Sequence, residues 1–318
     1  MGPARISSPT RLAAFARYAG LPSLLLGLAS GCPQRESPPE PTPSQAARRA
    51  DEYAAARAAV VQHTTQKFTT VALLRPSDQG IARRLVYLAP LIMQEPQAVT
   101  APPEFAQFGA VRMTERELPA VDVQRPTVYF YPSRAAWRAG EHEQWTYVWF
   151  YPPANGTDPL RWRAFRMTLD AQGLPLVWES AADNTSLRVL YVSAALAAAA
   201  EQTHGPARPG RHYAIETPVP DWPHVVVARL LGDGPQPMGP YVYLDRELTV
   251  TTLLCRCTPA QAERWFTEGL YQLVQLRDLA DLKLGDHVTP HLGLSSDPAW
   301  LEKVLRLPSE EASGSGSK

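Results

Sequence analysis

Beyond residue 125 the chain breaks into short apolar runs separated by turn residues, and a pattern of that kind buries itself as a sheet. The runs cover 128–131, 144–151, 162–169, 176–178, 189–192, 213–216, 225–231, 241–244 and 250–257. They are rich in β-branched and aromatic residues, which suit a pleated surface, and several alternate with period two. Asp170-Ala171-Gln172-Gly173 and the longer stretch from Gly232 to Pro240 are turn signals between neighbouring runs. Connections this short join antiparallel strands, because a parallel pair needs a crossover of about a dozen residues or more.

Helix signals lie at either end and between the runs. Ser44 can cap an Ala-rich helix over 45–66, and Ser77 can start a second over 78–89, ended by Pro90, with Ile81, Leu85 and Leu88 on one face. Ser193 caps a third over 194–203 that stops at His204-Gly205. Thr258-Pro259-Ala260-Gln261 is a capping box with proline at the first helical position, which predicts a helix over 259–276. Asp297-Pro298 opens a short C-terminal helix with Trp300, Val304 and Leu305 inward. The expected class is therefore α+β: a mostly antiparallel sheet with a few packed helices, and N-terminal helices preceding the sheet domain. The chain divides into a signal segment (1–31), a Pro-rich tether (32–45), a helical N-terminal segment (46–96), an α+β domain (97–308) and a polar Gly/Ser tail (309–318). No repeat of 20 to 50 residues is present.

Among 318 residues there are 31 bases and 31 acids, so no excess positive charge exists to displace counterions from phosphate, and a nucleic-acid partner is not expected. The apolar share of 45% supplies a sizeable core and excludes disorder throughout. Prolines number 32, roughly twice average usage, and five of them fall in residues 33–45.

The N-terminus reads as an address. Residues 1–17 carry Arg5, Arg11 and Arg17 and no acid, and an apolar stretch follows over 19–29. It is too short to span a bilayer, which takes about 20 residues, but suits the apolar region of a signal peptide. Leu28-Ala29-Ser30-Gly31-Cys32 then resembles a bacterial lipoprotein lipobox. The resemblance covers about a tenth of the chain and implies lipidation of Cys32, a membrane partner through that anchor, and a place in the bacterial cell envelope. Ordinary secretory signals and mitochondrial transit peptides share the basic, acid-poor start. The proline-rich spacer after Cys32, extended and solvated, fits the lipoprotein best. Loss of Arg5, Arg11 and Arg17 from 31 bases leaves 28 against 31 acids, so the mature chain is slightly acidic.

With Cys32 lipidated, Cys255 and Cys257 are the remaining thiols. In a strand they share a face, and the predicted helix N-terminus just after Cys257 would stabilise a thiolate. Three readings stand: two small buried apolar residues, a disulfide that needs a local bend to close roughly 7 Å, or a soft-metal or redox site taking Cu(I) or Zn(II). Trp145, Tyr147, Trp149 and Tyr151 occupy alternate positions of one run, so their rings share a face. That face is either core or a stacking platform for sugar rings or another apolar ligand. Glu141-His142-Glu143 forms a dense polar triplet expected in an exposed turn. Glu179, Asp183, Glu216 and Asp221 are carboxylates without acid/base pair spacing, and His287 and His291 are broken by Thr289-Pro290. Gly232-Asp233-Gly234 followed by proline cannot open a helix on a phosphate. No cofactor is implied. The sequence points to a lipid-anchored envelope protein acting as a binding or structural module on an unknown envelope protein or small ligand. The alternatives are a thiol-redox or soft-metal protein using Cys255 and Cys257, and an envelope glycan hydrolase.

Overall fold

The computed structural model describes residue 58 and, within 70–305, all residues except 79, 97–106, 138–139, 154–158, 184, 208–212, 214–224, 233–238, 255–263, 285–287 and 289–291. The chain is mostly β. Among the described residues the thirteen strands are β1 (Thr70–Pro76), β2 (Leu91–Gln94), β3 (Ala110–Met113), β4 (Pro119–Asp122), β5 (Thr127–Trp137), β6 (Gly140–Tyr151), β7 (Arg161–Leu169), β8 (Pro175–Ala182), β9 (Thr185–Ser193), β10 (Val225–Leu231), β11 (Tyr241–Leu244), β12 (Val250–Leu254) and β13 (Arg264–Gln275). The described helices are short: α1 (Arg83–Leu88), α2 (Ala194–His204) and α3 (Trp300–Leu305), with a 3₁₀ turn at Leu279–Leu282.

Eleven strands form one curled mixed sheet in the order β10-β9-β8-β7-β6-β5-β13-β1-β2-β11-β12, and β3 and β4 make a separate hairpin. The run β5 to β9 is an antiparallel meander, as short turns require. At the β7–β8 turn, Asp170 accepts from the amides of Gln172 and Leu174 while Gly173 takes a positive φ of 80°. Long connections produce the parallel pairs: β9 to β10 crosses through α2, and β13 inserts between β5 and β1, parallel to both.

The curl gives the sheet two unlike faces. On the concave face alternate residues of β5 to β9 meet β2, β11, β12 and α1 in the largest apolar cluster, which includes Phe130, Trp145, Tyr147, Trp149, Phe165, Trp178, Tyr191, Leu244 and Leu253. Contacts between strands distant in the sheet show how far it wraps. The Tyr151 hydroxyl on β6 donates to Gln94 Oε1 on β2 at 3.1 Å, and buried Arg163 on β7 donates to the carbonyl of Leu248 in the β11–β12 turn. The convex face is covered by α2 and α3 at one end and by the 3₁₀ turn with Leu284, Leu292 and Leu294 at the other.

Several expectations change. The class is mostly β with a mixed sheet, where α+β with a mostly antiparallel sheet was expected. The N-terminal part does not only precede the sheet as helices, because β1 and β2 lie well inside it, between β13 and β11. Both faces of β1 are covered, Leu74 packing on the concave cluster and Val71 and Leu73 on a small convex one, so its sequence lacks the alternation that marks a half-buried strand. The helix over 259–276 is replaced by strand from Arg264 onward, the packing between β1 and β5 overriding the local capping signal. The helix over 78–89 shrinks to α1. By contrast α2 begins at Ser193, whose hydroxyl accepts from the Leu196 amide, and ends at Gly205. In α3 Trp300, Val304 and Leu305 are all buried, as their spacing requires. The predicted helix over 45–66 and the run at 213–216 fall, but for residues 58 and 213, outside the described residues.

Candidate functional site

The concave face gathers aromatic side chains in cross-strand rows. Pairing places Pro132 opposite Trp145, Trp145 opposite Met167, Met167 opposite Trp178 and Trp178 opposite Tyr191, so one row crosses β5 to β9. The next row runs from Phe130 through Tyr147 to Phe165, with the last two rings stacked at 5.0 Å and 8°. Trp149 donates its indole N–H to the Tyr151 hydroxyl at 3.0 Å, and burial pushes that phenol up to about 12. The structure thus brings Trp145, Tyr147, Trp149 and Tyr151 together on one face, as period two requires. Their exposures of 7%, 1%, 0% and 0% make the face core, so it is not an open platform for sugar rings, and the glycan-hydrolase reading loses its support.

Two donors in this core lack an acceptor among the described residues: the indole N–H groups of Trp145 and Trp178, both on the concave face and both beside Met167. Trp137 shares the condition on the opposite face. Buried donors are nearly always satisfied, so two in one row mark a place where polar matter belongs.

At the rim of this row lies a hollow of about 650 Å³ lined by Pro132, Ser133, Arg134, Glu141, His142 and Glu143. The triplet Glu141-His142-Glu143 therefore does not sit in a turn: β6 begins at Gly140, and its residues alternate across the strand. Glu141 and Glu143 share a face with Trp145. Arg134 meets Glu141 at 2.5 Å, and Arg84 of α1 meets Glu143 at 2.5 Å, so the helix over the concave face is fastened to the rim by an exposed ion pair. His142 faces the other way, its Nδ1 2.9 Å from the Leu169 carbonyl and its ring edge-on to Trp137 at 4.5 Å. Sequence reasoning found the triplet but not the hollow, because the residues completing it come from the paired strand.

The remaining candidates disperse. Glu179 is fully buried on the convex side and takes Arg166 bidentately at 2.6 and 2.9 Å, while Arg166 also donates to the Ser295 carbonyl at 2.7 Å. Arg188 lies buried nearby, donating to the carbonyls of Ser180 and Gly293, and burial pulls its guanidinium down to about 10. Asp183 pairs with Arg163. These charges hold segments of the fold together, and no acid/base pair is assembled from them. His204 is at the end of α2. Cys32, Cys255, Cys257, Glu216, Asp221, His287 and His291 lie outside the described residues. The predicted helix beginning beside Cys257 is strand from Arg264 onward, and its expected start at 258–263 lies outside the described residues. Compared with known protein families, curated proteins and solved structures, the chain matches none.

Proposed function

We propose that this chain is a lipid-anchored protein of the bacterial cell envelope whose curled sheet serves as a binding module. The observation that carries the address is the sequence from Arg5 to Cys32 followed by the proline spacer. Support for binding comes from the concave face: a half-wrapped sheet enclosing a dense aromatic row, with a polar hollow at its rim and two indole donors left over inside. The anchor would hold this body near a membrane on a spacer of 13 residues, about 40 Å if extended in polyproline geometry.

Metabolic labelling tests the address. Cells expressing the chain and fed radiolabelled palmitate should incorporate label into it, with Cys32→Ala abolishing incorporation and globomycin causing the unprocessed precursor to accumulate. Absence of label, or label retained in the Cys32→Ala chain, overturns the anchor.

A further inference from the structure

We propose that the Ala-rich segment 45–66 docks as a helix on the convex face of β1, β2 and β11, so that the free spacer between Cys32 and the folded body is residues 33–45 alone. That face is covered. Val71 on β1, Met93 on β2 and Tyr243 on β11 are each at 0% exposure, and Thr252, opposite Tyr243 on β12, is equally buried. Their cluster nevertheless contains residues of β1, β2 and β11 only, with Leu73 and Tyr241 partly buried beside them. Side chains standing together on one sheet face cannot hide each other's tips from water, so a further layer lies over them. No element among the described residues supplies it: α1 packs on the concave cluster, α2 and α3 with β8, β9 and β10, and the 3₁₀ turn over β5, β6 and β7. The layer is narrow, because exposure returns on β13 at Leu270 and at Glu268, which pairs with Leu73.

The occupant follows from the length of chain ahead of β1. Only residues 67–69 separate the Ala-rich segment from that strand, and a helix joined to a strand by so short a connection lies back along it. On the concave side β1 already meets the main core, which leaves the convex side. Ala58, the one described residue of the segment, is helical and exposed. At about 100° per residue the opposite side of such a helix carries Tyr53, Ala56 and Val60, with Arg49 and His63 nearer its ends. The rival occupant is the connection from β12 to β13, residues 255–263. Its residues must span four strand spacings, roughly 19 Å, which leaves little width to cover Val71 and Met93 in different rows.

The test uses the full chain carrying Cys32→Ala, so its outcome is independent of the lipid anchor. Ala56→Cys and Ala58→Cys are compared for reaction with 5,5′-dithiobis(2-nitrobenzoic acid), the signal of Cys255 and Cys257 being taken from the parent. The thiol at 58 should react at least about tenfold faster than the one at 56, because exchange depends on access. Equal rates overturn the docked helix. Tyr53→Asp with Val60→Asp should then speed amide exchange at 71–74, 91–94 and 241–244 by at least about tenfold, leaving 163–168 unchanged. Unchanged exchange at those strands gives the face to residues 255–263 and also overturns the proposal. Should the double variant unfold, Val60→Asp alone is read the same way.

Discussion

Glu179 shows what individual residues contribute. It is a carboxylate at 0% exposure between two buried guanidiniums, and the loop carbonyls of Gly293 and Ser295 complete the donors' shells. Removing the single negative charge would leave Arg166 and Arg188 buried without a counter-ion. Glu179→Gln should therefore cost about 3–5 kcal/mol in urea unfolding, while Arg166→Met with Glu179→Leu, which removes the pair together, should recover most of it. A loss below about 1 kcal/mol for Glu179→Gln would mean that water reaches the pair. None of this was legible in the sequence, where Arg166 and Glu179 are 13 residues apart and the partners in the loop more than 110 further on. The shared face of Trp145, Tyr147, Trp149 and Tyr151 was legible, because strand periodicity alone determines it. Whether that face met water was not, since that depends on β2, α1 and the β11–β12 hairpin closing over it.

Among the elements, β13 teaches most. Its sequence begins after a capping box and contains Arg, Gln, Glu and Leu, all compatible with a helix, yet it lies between β1 and β5 as a strand. Alternation is present where it packs: Tyr271 and Leu273 face the concave core, while Leu270, Glu268 and Gln272 are exposed. Two flanking strands outweigh local preference, which amounts to tenths of a kcal/mol per residue. A peptide of residues 258–276, freed from those strands, should become helical by circular dichroism as trifluoroethanol is added. One that gains no helix would remove local propensity as the reason for the wrong expectation. The turn signal from Gly232 to Pro240 joins β10 and β11, which do not pair, whereas the β7–β8 hairpin was legible from Asp170 to Gly173, and α2 and α3 from their caps and spacing. The parallel neighbours of β13 and β9 were not, because pairing across long connections leaves no mark in local sequence.

At the scale of the molecule, the curl depends on contacts between strands that are not neighbours. Arg163 is central to them. Fully buried, it donates to Leu248 and Glu247 carbonyls in the β11–β12 turn and pairs with Asp183 at the end of β8, tying the edge hairpin to the meander. Burial draws its guanidinium downward and Asp183 opposes that shift, so the charge is kept by its partners. Arg163→Met should leave the ladders of β6 and β7 intact while speeding amide exchange at 245–249 by at least about tenfold. Unchanged exchange there would show that the turn is held by Asp245, which accepts from the Glu247 and Thr249 amides, and not by Arg163.

The place of β1 has a mechanical side. It is the first described strand and hydrogen-bonds to β13 along one edge and to β2 along the other. If the chain ahead of Thr70 is fixed to a membrane, tension along β1 is shared by two ladders loaded lengthwise. An edge strand in that place would be peeled off one bond at a time. A protein fastened in this way resists being pulled from its own tether by the same pairing that folds it.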